Sequence, residues 1–149
     1  MNIQTKYHGV FQLNKEDILY FDKGIPGFPE ETKFVILSLT DDGGFGALQS
    51  INTPELAFVI KNPFDFNKSY DFILEDYVVD ALEISNQQDV MVYSILTVQE
   101  PFDKTTANLQ APIIINNKNH KAMQVILNDQ NYSIRHPIFL ANPNSKEKG

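Results

Sequence analysis

The sequence predicts a mostly β protein: a compact antiparallel β-barrel-like single domain with one short helix at about residues 75–84. Three observations predict it. Short runs of β-branched, aromatic and aliphatic residues are cut at close spacing by Gly, Pro, Asn and Asp, the signature of a sandwich or barrel. The run Pro112–Ile115 is apolar at every position, as expected of a strand covered on both faces or lying at the centre of a barrel. Only the stretch Glu75–Ile84 repeats its apolar residues at a helical period. A barrel is favoured over an open sheet because closure removes aggregation-prone edges.

The elements follow in order. Ile3–Leu13 brackets Gly9 with strand-forming residues and reads as one bulged strand or a tight hairpin. After a polar link at Asn14–Asp17, Ile18–Phe21 is a short strand. Two glycines and two prolines within Lys23–Pro29 then impose an ordered loop, with Ile25 and Phe28 expected beneath it. Pro29-Glu30-Glu31 is placed to start one helical turn. Phe34–Leu39, Phe45–Ile51 and Leu56–Ile60 form a meander through turns at Asp41–Gly44 and Thr53–Glu55, and Asn62–Phe66 ends it.

Tyr70–Leu74 alternates as a strand does, with Tyr70, Phe72 and Leu74 inward and Asp71, Ile73 and Glu75 outward. An aliphatic residue between two acids on an outward face marks Ile73 as a candidate contact residue. In the helix, Tyr77, Val78, Ala81 and Leu82 form an apolar stripe, and Asp76, Asp80 and Glu83 line the other side. Ser85–Asp89 is a loop, Val90–Val98 the longest apolar strand, and Glu100–Asp103 a turn. Ile113–Ile115 pairs as a hairpin with a return strand through Val125 and Leu127, across a polar turn at Asn116–Asn119. Asn128-Asp129 turns into a last strand-like stretch at Tyr132–Ile138. The organisation expected is therefore one domain over residues 1–141 and a disordered tail at 142–149, NPNSKEKG.

A chain of 149 residues can bury roughly 70% of its unfolded surface and needs no staples. It has none: the absence of cysteine excludes disulfides and thiolate metal sites. The N-terminus lacks a signal peptide, and no apolar run approaches the roughly 20 residues of a membrane helix, so a cytoplasmic protein is expected. The net charge of −7 is concentrated. Asp65–Asp103 holds nine acids and one base, a net of −8, while the other ten acids and eleven bases leave +1. Such a field opposes direct nucleic-acid binding and favours a basic protein partner, although a solvated acidic surface that aids solubility reads the same way.

Chemistry is scarce. His8, His120 and His136 are scattered without metal-ligand spacing. The Asp42–Gly46 stretch lacks the lysine and hydroxyl of a phosphate loop, and neither a serine elbow nor a calcium-loop pattern is present. No catalytic residue, cofactor or metal is expected. The competing readings are a small β-barrel enzyme pairing His136 or His120 with an acid, and a purely structural subunit.

Seven blocks in order then carry a family resemblance: TKYHG at Thr5–Gly9, GIPGFPEETKFVIL at Gly24–Leu37, LQSINTPELAFVIKNPF at Leu48–Phe64, VYSILTV at Val92–Val98, TANLQAPIIIN at Thr106–Asn116, QVIL at Gln124–Leu127, and Tyr132 with RHPI at Arg135–Ile138. In these the chain resembles the FliW family of bacterial flagellar assembly factors. The resemblance implies a cytoplasmic, non-enzymatic, barrel-like protein that binds newly made flagellin. It also implies a second partner in competition with flagellin, the small basic RNA-binding dimer CsrA, which represses flagellin translation. The acidic segment is the natural place for a basic partner. A CsrA face is therefore expected at Asp71, Ile73, Glu75, Asp76, Asp80 and Glu83, on a chain that is a monomer when free. For flagellin an apolar groove receiving a helical end segment is expected, its residues unassigned.

Overall fold

The computed structural model describes residues 1–128 and 131–139. The expected tail at 142–149 and the far half of the Asn128-Asp129 turn lie outside the described residues. Eleven strands are formed: β1 (Asn2–Thr5), β2 (Gly9–Gln12), β3 (Leu19–Phe21), β4 (Lys33–Ser38), β5 (Gly46–Ser50), β6 (Ala57–Lys61), β7 (Val90–Thr97), β8 (Thr106–Ala107), β9 (Ile113–Asn116), β10 (Lys121–Gln124) and β11 (His136–Pro137). One α-helix, α1 (Asp76–Ala81), stands among them.

Seven strands close on themselves in the order β3-β4-β5-β6-β7-β9-β10 and back to β3. All neighbours in this ring are antiparallel except β3 and β10, which run parallel with Tyr20 opposite Lys121. Because side chains alternate across a strand, one set from every strand fills the barrel and the other covers its outside. Phe21, Phe34, Leu48, Ile60, Ile113 and Ile115 are buried together inside. Each such side chain contributes about 1.5–3 kcal/mol through the apolar surface it removes from water.

The outside is sheathed twice. The β1–β2 hairpin packs Ile3 and Leu13 on Val35 and Leu37. On another side Ile114 meets Val78 and Leu82 of α1 and Tyr70, Leu109, Val125 and Leu127 of the irregular segments. The continuous apolar run at Ile113–Ile115 is thus explained, since β9 has hydrophobic layers on both faces. β7 takes part in both layers: its first half pairs with β9 and its far end with β8, which pairs in turn with β11.

Several expectations are corrected. Tyr70–Leu74 alternates as read but joins no strand ladder. Alternation requires only an extended backbone; ladder bonds also require a neighbour, and here the Tyr132 hydroxyl fills that place. It accepts from the Asp71 N–H at 2.9 Å and donates to the Asp71 carbonyl at 2.7 Å.

The helix is shorter than 75–84, because Glu83 adopts φ 54° and bonds from Glu83 N to Asp80 O and from Ile84 N to Val79 O close it. Its stripe is also narrower: Val78 and Leu82 are buried, whereas Tyr77 and Ala81 face solvent. Asn116 is no turn residue. It ends β9 at 3% exposure, and its amide donates to the carbonyls of Leu82 (2.8 Å) and Glu83 (3.2 Å). The return strand stops at Gln124; Val125 and Leu127 stay buried by bonding to Pro112 O and Gln110 O.

The Lys23–Pro29 loop buries Ile25 but leaves Phe28 41% exposed, with its ring edge-to-face on Phe58. Pro29–Glu31 forms a turn rather than a helical turn, because the Glu31 carboxylate is engaged elsewhere, by the Ser50 hydroxyl (2.6 Å) and the Thr53 hydroxyl (2.5 Å). Gly24 is obligatory in this loop: it adopts φ 69°, and a Cβ there would lie 2.4 Å from the Phe28 carbonyl.

Candidate partner-binding surface

Of the expected contact residues, Asp71, Ile73 and Glu75 lie together on the segment 70–75, and Asp76, Asp80 and Glu83 lie on α1 and just past its end. Asp71, Ile73 and Glu75 point outward from the segment, and Ile73 is 91% exposed. Tyr70 makes this possible. Its ring is buried, packs edge-on against Tyr132 at 4.7 Å, and donates its hydroxyl to the Leu109 carbonyl at 2.6 Å. The inward residues anchor the segment, and the outward ones cannot bury.

Ile73 is joined by a residue that sequence reading missed. Ile126, 61% exposed, lines the same shallow groove of about 370 Å³ with Asp71, Phe72, Ile73 and Glu75. The Asn128 amide closes one end by donating to Glu75 Oε1 at 3.1 Å. The signal was present in the sequence: Ile126 falls between Val125 and Leu127, which face inward, and so must face outward. No basic residue lines this groove. Asp76 and Asp80 are exposed on α1, while Glu83 is paired with Lys121 and so presents less free charge than the other four acids.

A second, larger concavity of about 650 Å³ opens beside α1. It lies against the Lys23–Pro29 loop and β10, and Tyr20, Ile25, Pro26, Tyr77, Ala81 and Met123 supply most of its apolar wall. This is where the two helix residues misassigned to the core belong. α1 has Tyr77 and Ala81 on the larger concavity, where Glu83 also pairs with the lining residue Lys121, and it follows directly in the chain from Glu75 on the smaller groove.

The histidines do not assemble a site. His8 Nε2 lies 2.7 Å from Ser38 O, His120 Nδ1 lies 3.2 Å from Ile18 O, and the His136 ring packs on Phe66. Among the described residues none pairs with a carboxylate, no cluster of His, Asp or Glu could hold a metal ion, and no helix is long and apolar enough to cross a membrane. Asp42 is held below the usual carboxylate range by the Thr40 hydroxyl first and the Gly44 amide second, and it serves the β4–β5 turn.

Fold and surface together define a class: a small closed β-barrel with acids and an exposed aliphatic pair on its exterior. A family model described as FliW protein matches residues 2–138. The chain is 52% identical over 138 residues to the flagellar assembly factor FliW of Bacillus subtilis (strain 168), covering 93% of this chain and 96% of the relative. It is 50% identical over 139 residues to that of Geobacillus kaustophilus, again covering 93% and 96%. A crystal structure of the flagellar assembly factor FliW superposes with a TM-score of 0.91 at 47% identity, covering 95% of this chain and 99% of the other. The chain belongs to the FliW family.

Proposed function

We propose that this protein is a cytoplasmic flagellar assembly factor that binds newly made flagellin and, when free of it, captures and antagonises CsrA. Translation of flagellin then responds to how much flagellin remains unexported. The observation that carries the CsrA half is the groove at Asp71–Glu75, an exposed aliphatic pair framed by the Asp71 and Glu75 carboxylates, with no base in its lining among the described residues. A basic RNA-binding dimer meets complementary charge there, which speeds encounter and rejects wrong partners, and Ile73 with Ile126 gives it an apolar anchor.

Flagellin is assigned to the larger apolar concavity, whose wall from Tyr77 to Ala81 suits the apolar face of a helical end segment. The segment lining the smaller groove runs through Glu75 straight into α1, which lines the larger, so a partner seated on one acts on the chain that shapes the other. Occupancy by one then lowers the apparent affinity of the other by simple linkage.

The test is a calorimetric titration of CsrA into the Asp71→Lys, Glu75→Lys variant at low and physiological salt. Affinity should fall by roughly tenfold or more, and its salt dependence should flatten, because rim charges act mainly through long-range attraction. Unchanged affinity at both salt concentrations would remove these residues from the interface. Failure of the unaltered protein to bind CsrA at all would sink the CsrA half of the function.

A further inference from the structure

The backbone beside Ile73 is extended and largely unpaired. Residues 70–75 alternate, with Tyr70 buried, Phe72 and Leu74 half-buried and Asp71, Ile73 and Glu75 exposed, as in a strand, and Glu75 itself has φ −68° and ψ 156°. In an extended chain the N–H and C=O of successive residues point to opposite edges. Both polar groups of Asp71 are taken by the Tyr132 hydroxyl. Phe72 and Leu74 address the other edge, and their N–H and C=O groups have no hydrogen-bond partner among the described residues.

The facing wall repeats the arrangement. Val125 and Leu127 give their N–H groups to Pro112 O and Gln110 O, which leaves Ile126 and Asn128 turned the other way. Phe72 and Ile126 both line the 370 Å³ groove. A row of unpaired backbone groups along an extended, partly apolar edge is a template for one more strand.

We infer that this groove takes its partner by strand addition. An extended segment of a protein partner, apolar at alternate positions and flanked by Lys or Arg, pairs its backbone with Phe72 and Leu74. Its apolar side chains lie against Ile73 and Ile126. Charge selects the occupant: Asp71 and Glu75 stand on the groove with no base among its lining residues, so an acidic strand is repelled and a basic one drawn in. A second copy of this chain is a poor occupant, because the acidic segments would meet each other. The inference rests on the CsrA reading above and specifies how that surface is engaged.

Two recognition modes make opposite demands on the same amides. Strand addition takes up the N–H groups of Phe72 and Leu74; side-chain docking of a helix leaves them open to water. Residue-resolved amide hydrogen exchange on the full chain, alone and with CsrA as the probe, separates them. Strand addition predicts that exchange at Phe72 and Leu74 slows at least tenfold in the complex, while Asp71, already bonded to Tyr132, changes little.

CsrA binding that is lost in the Asp71→Lys, Glu75→Lys variant, with no slowing at Phe72 and Leu74, would keep the site and overturn the strand mode. CsrA that does not bind the unaltered protein would overturn both. Slowing at these two amides that persists when Ile73→Ser weakens binding, measured at saturating CsrA, supports backbone pairing as a component separate from the apolar anchor.

Discussion

Tyr70 is the residue on which the outward set of side chains depends. Burial, and then the neighbouring Tyr132, push its phenol above the ordinary value of 10. A raised value means that the folded chain holds this proton more tightly than the unfolded chain. The corresponding stability is complete below pH 10 and is lost as pH climbs above it toward the folded value. Tyr70→Phe should cost about 1 kcal/mol at neutral pH, through loss of the bond to the Leu109 carbonyl. It should also make the decline in stability above pH 10 shallower in urea unfolding; identical alkaline slopes would assign that decline to other groups. Tyr93, likewise raised by burial, leaves the variant a residual slope.

Ile73 was legible from sequence because two acids and a period of two leave an aliphatic no inward option. Asn116 was not. An asparagine that caps a buried helix end and one that makes a turn look alike until the chain three dozen residues earlier is placed beside it.

Among the elements, α1 is too short to persist on its own: a six-residue helix is well below the length at which isolated helices form. It is held from outside. Val78 and Leu82 sit in the core layer against Ile114, and Asn116 and Asn119 bond the Leu82 carbonyl at the helix end. Asn116→Ala should therefore destabilise the protein by about 1 kcal/mol through the lost bonds to Leu82 O and Glu83 O, the former keeping its bond from Asn119. The damage should concentrate in α1, seen as faster amide exchange at Val79–Leu82 than in the barrel strands; uniform exchange across all strands would refute the local role.

The strands of the β4–β5–β6 meander were readable because each is bounded by turn residues with a backbone reason to be there, such as Asp42 and Gly43. The segment 70–75 was misread as a paired strand because sequence reports extension but not company. The helix stripe was overdrawn at Tyr77 and Ala81 because a helical period marks an apolar face without saying whether that face meets the core or an open concavity.

At the scale of the molecule, the two depressions are joined through the chain from Asp71 to Leu82, and their roles should separate by substitution. Ala81 is exposed on the wall of the larger concavity. Ala81→Trp should fill that space, cost at most about 1 kcal/mol of stability because the position is at the surface, and lower flagellin affinity at least severalfold. CsrA affinity should change less. A variant that binds flagellin normally in a pull-down would move the flagellin site elsewhere. The mostly β class and the barrel were legible from spacing and composition, and the charge concentrated in the middle third of the chain did locate an acidic exterior. How the ring closes was not, because β3 and β10 are three and four residues long and their pairing leaves no local trace.

That closure has a consequence for when the protein becomes usable. The parallel seam sets Tyr20 beside Lys121, so β3 leaves the ribosome long before its partner β10. Until β9 and β10 have emerged, β3 and β7 each present a bare edge to the cell, the exposure that invites misassembly. Early loop closure offers little relief, since a contact this distant in sequence is slow to form. The barrel therefore closes late, only once β10 has been made and can reach back to β3.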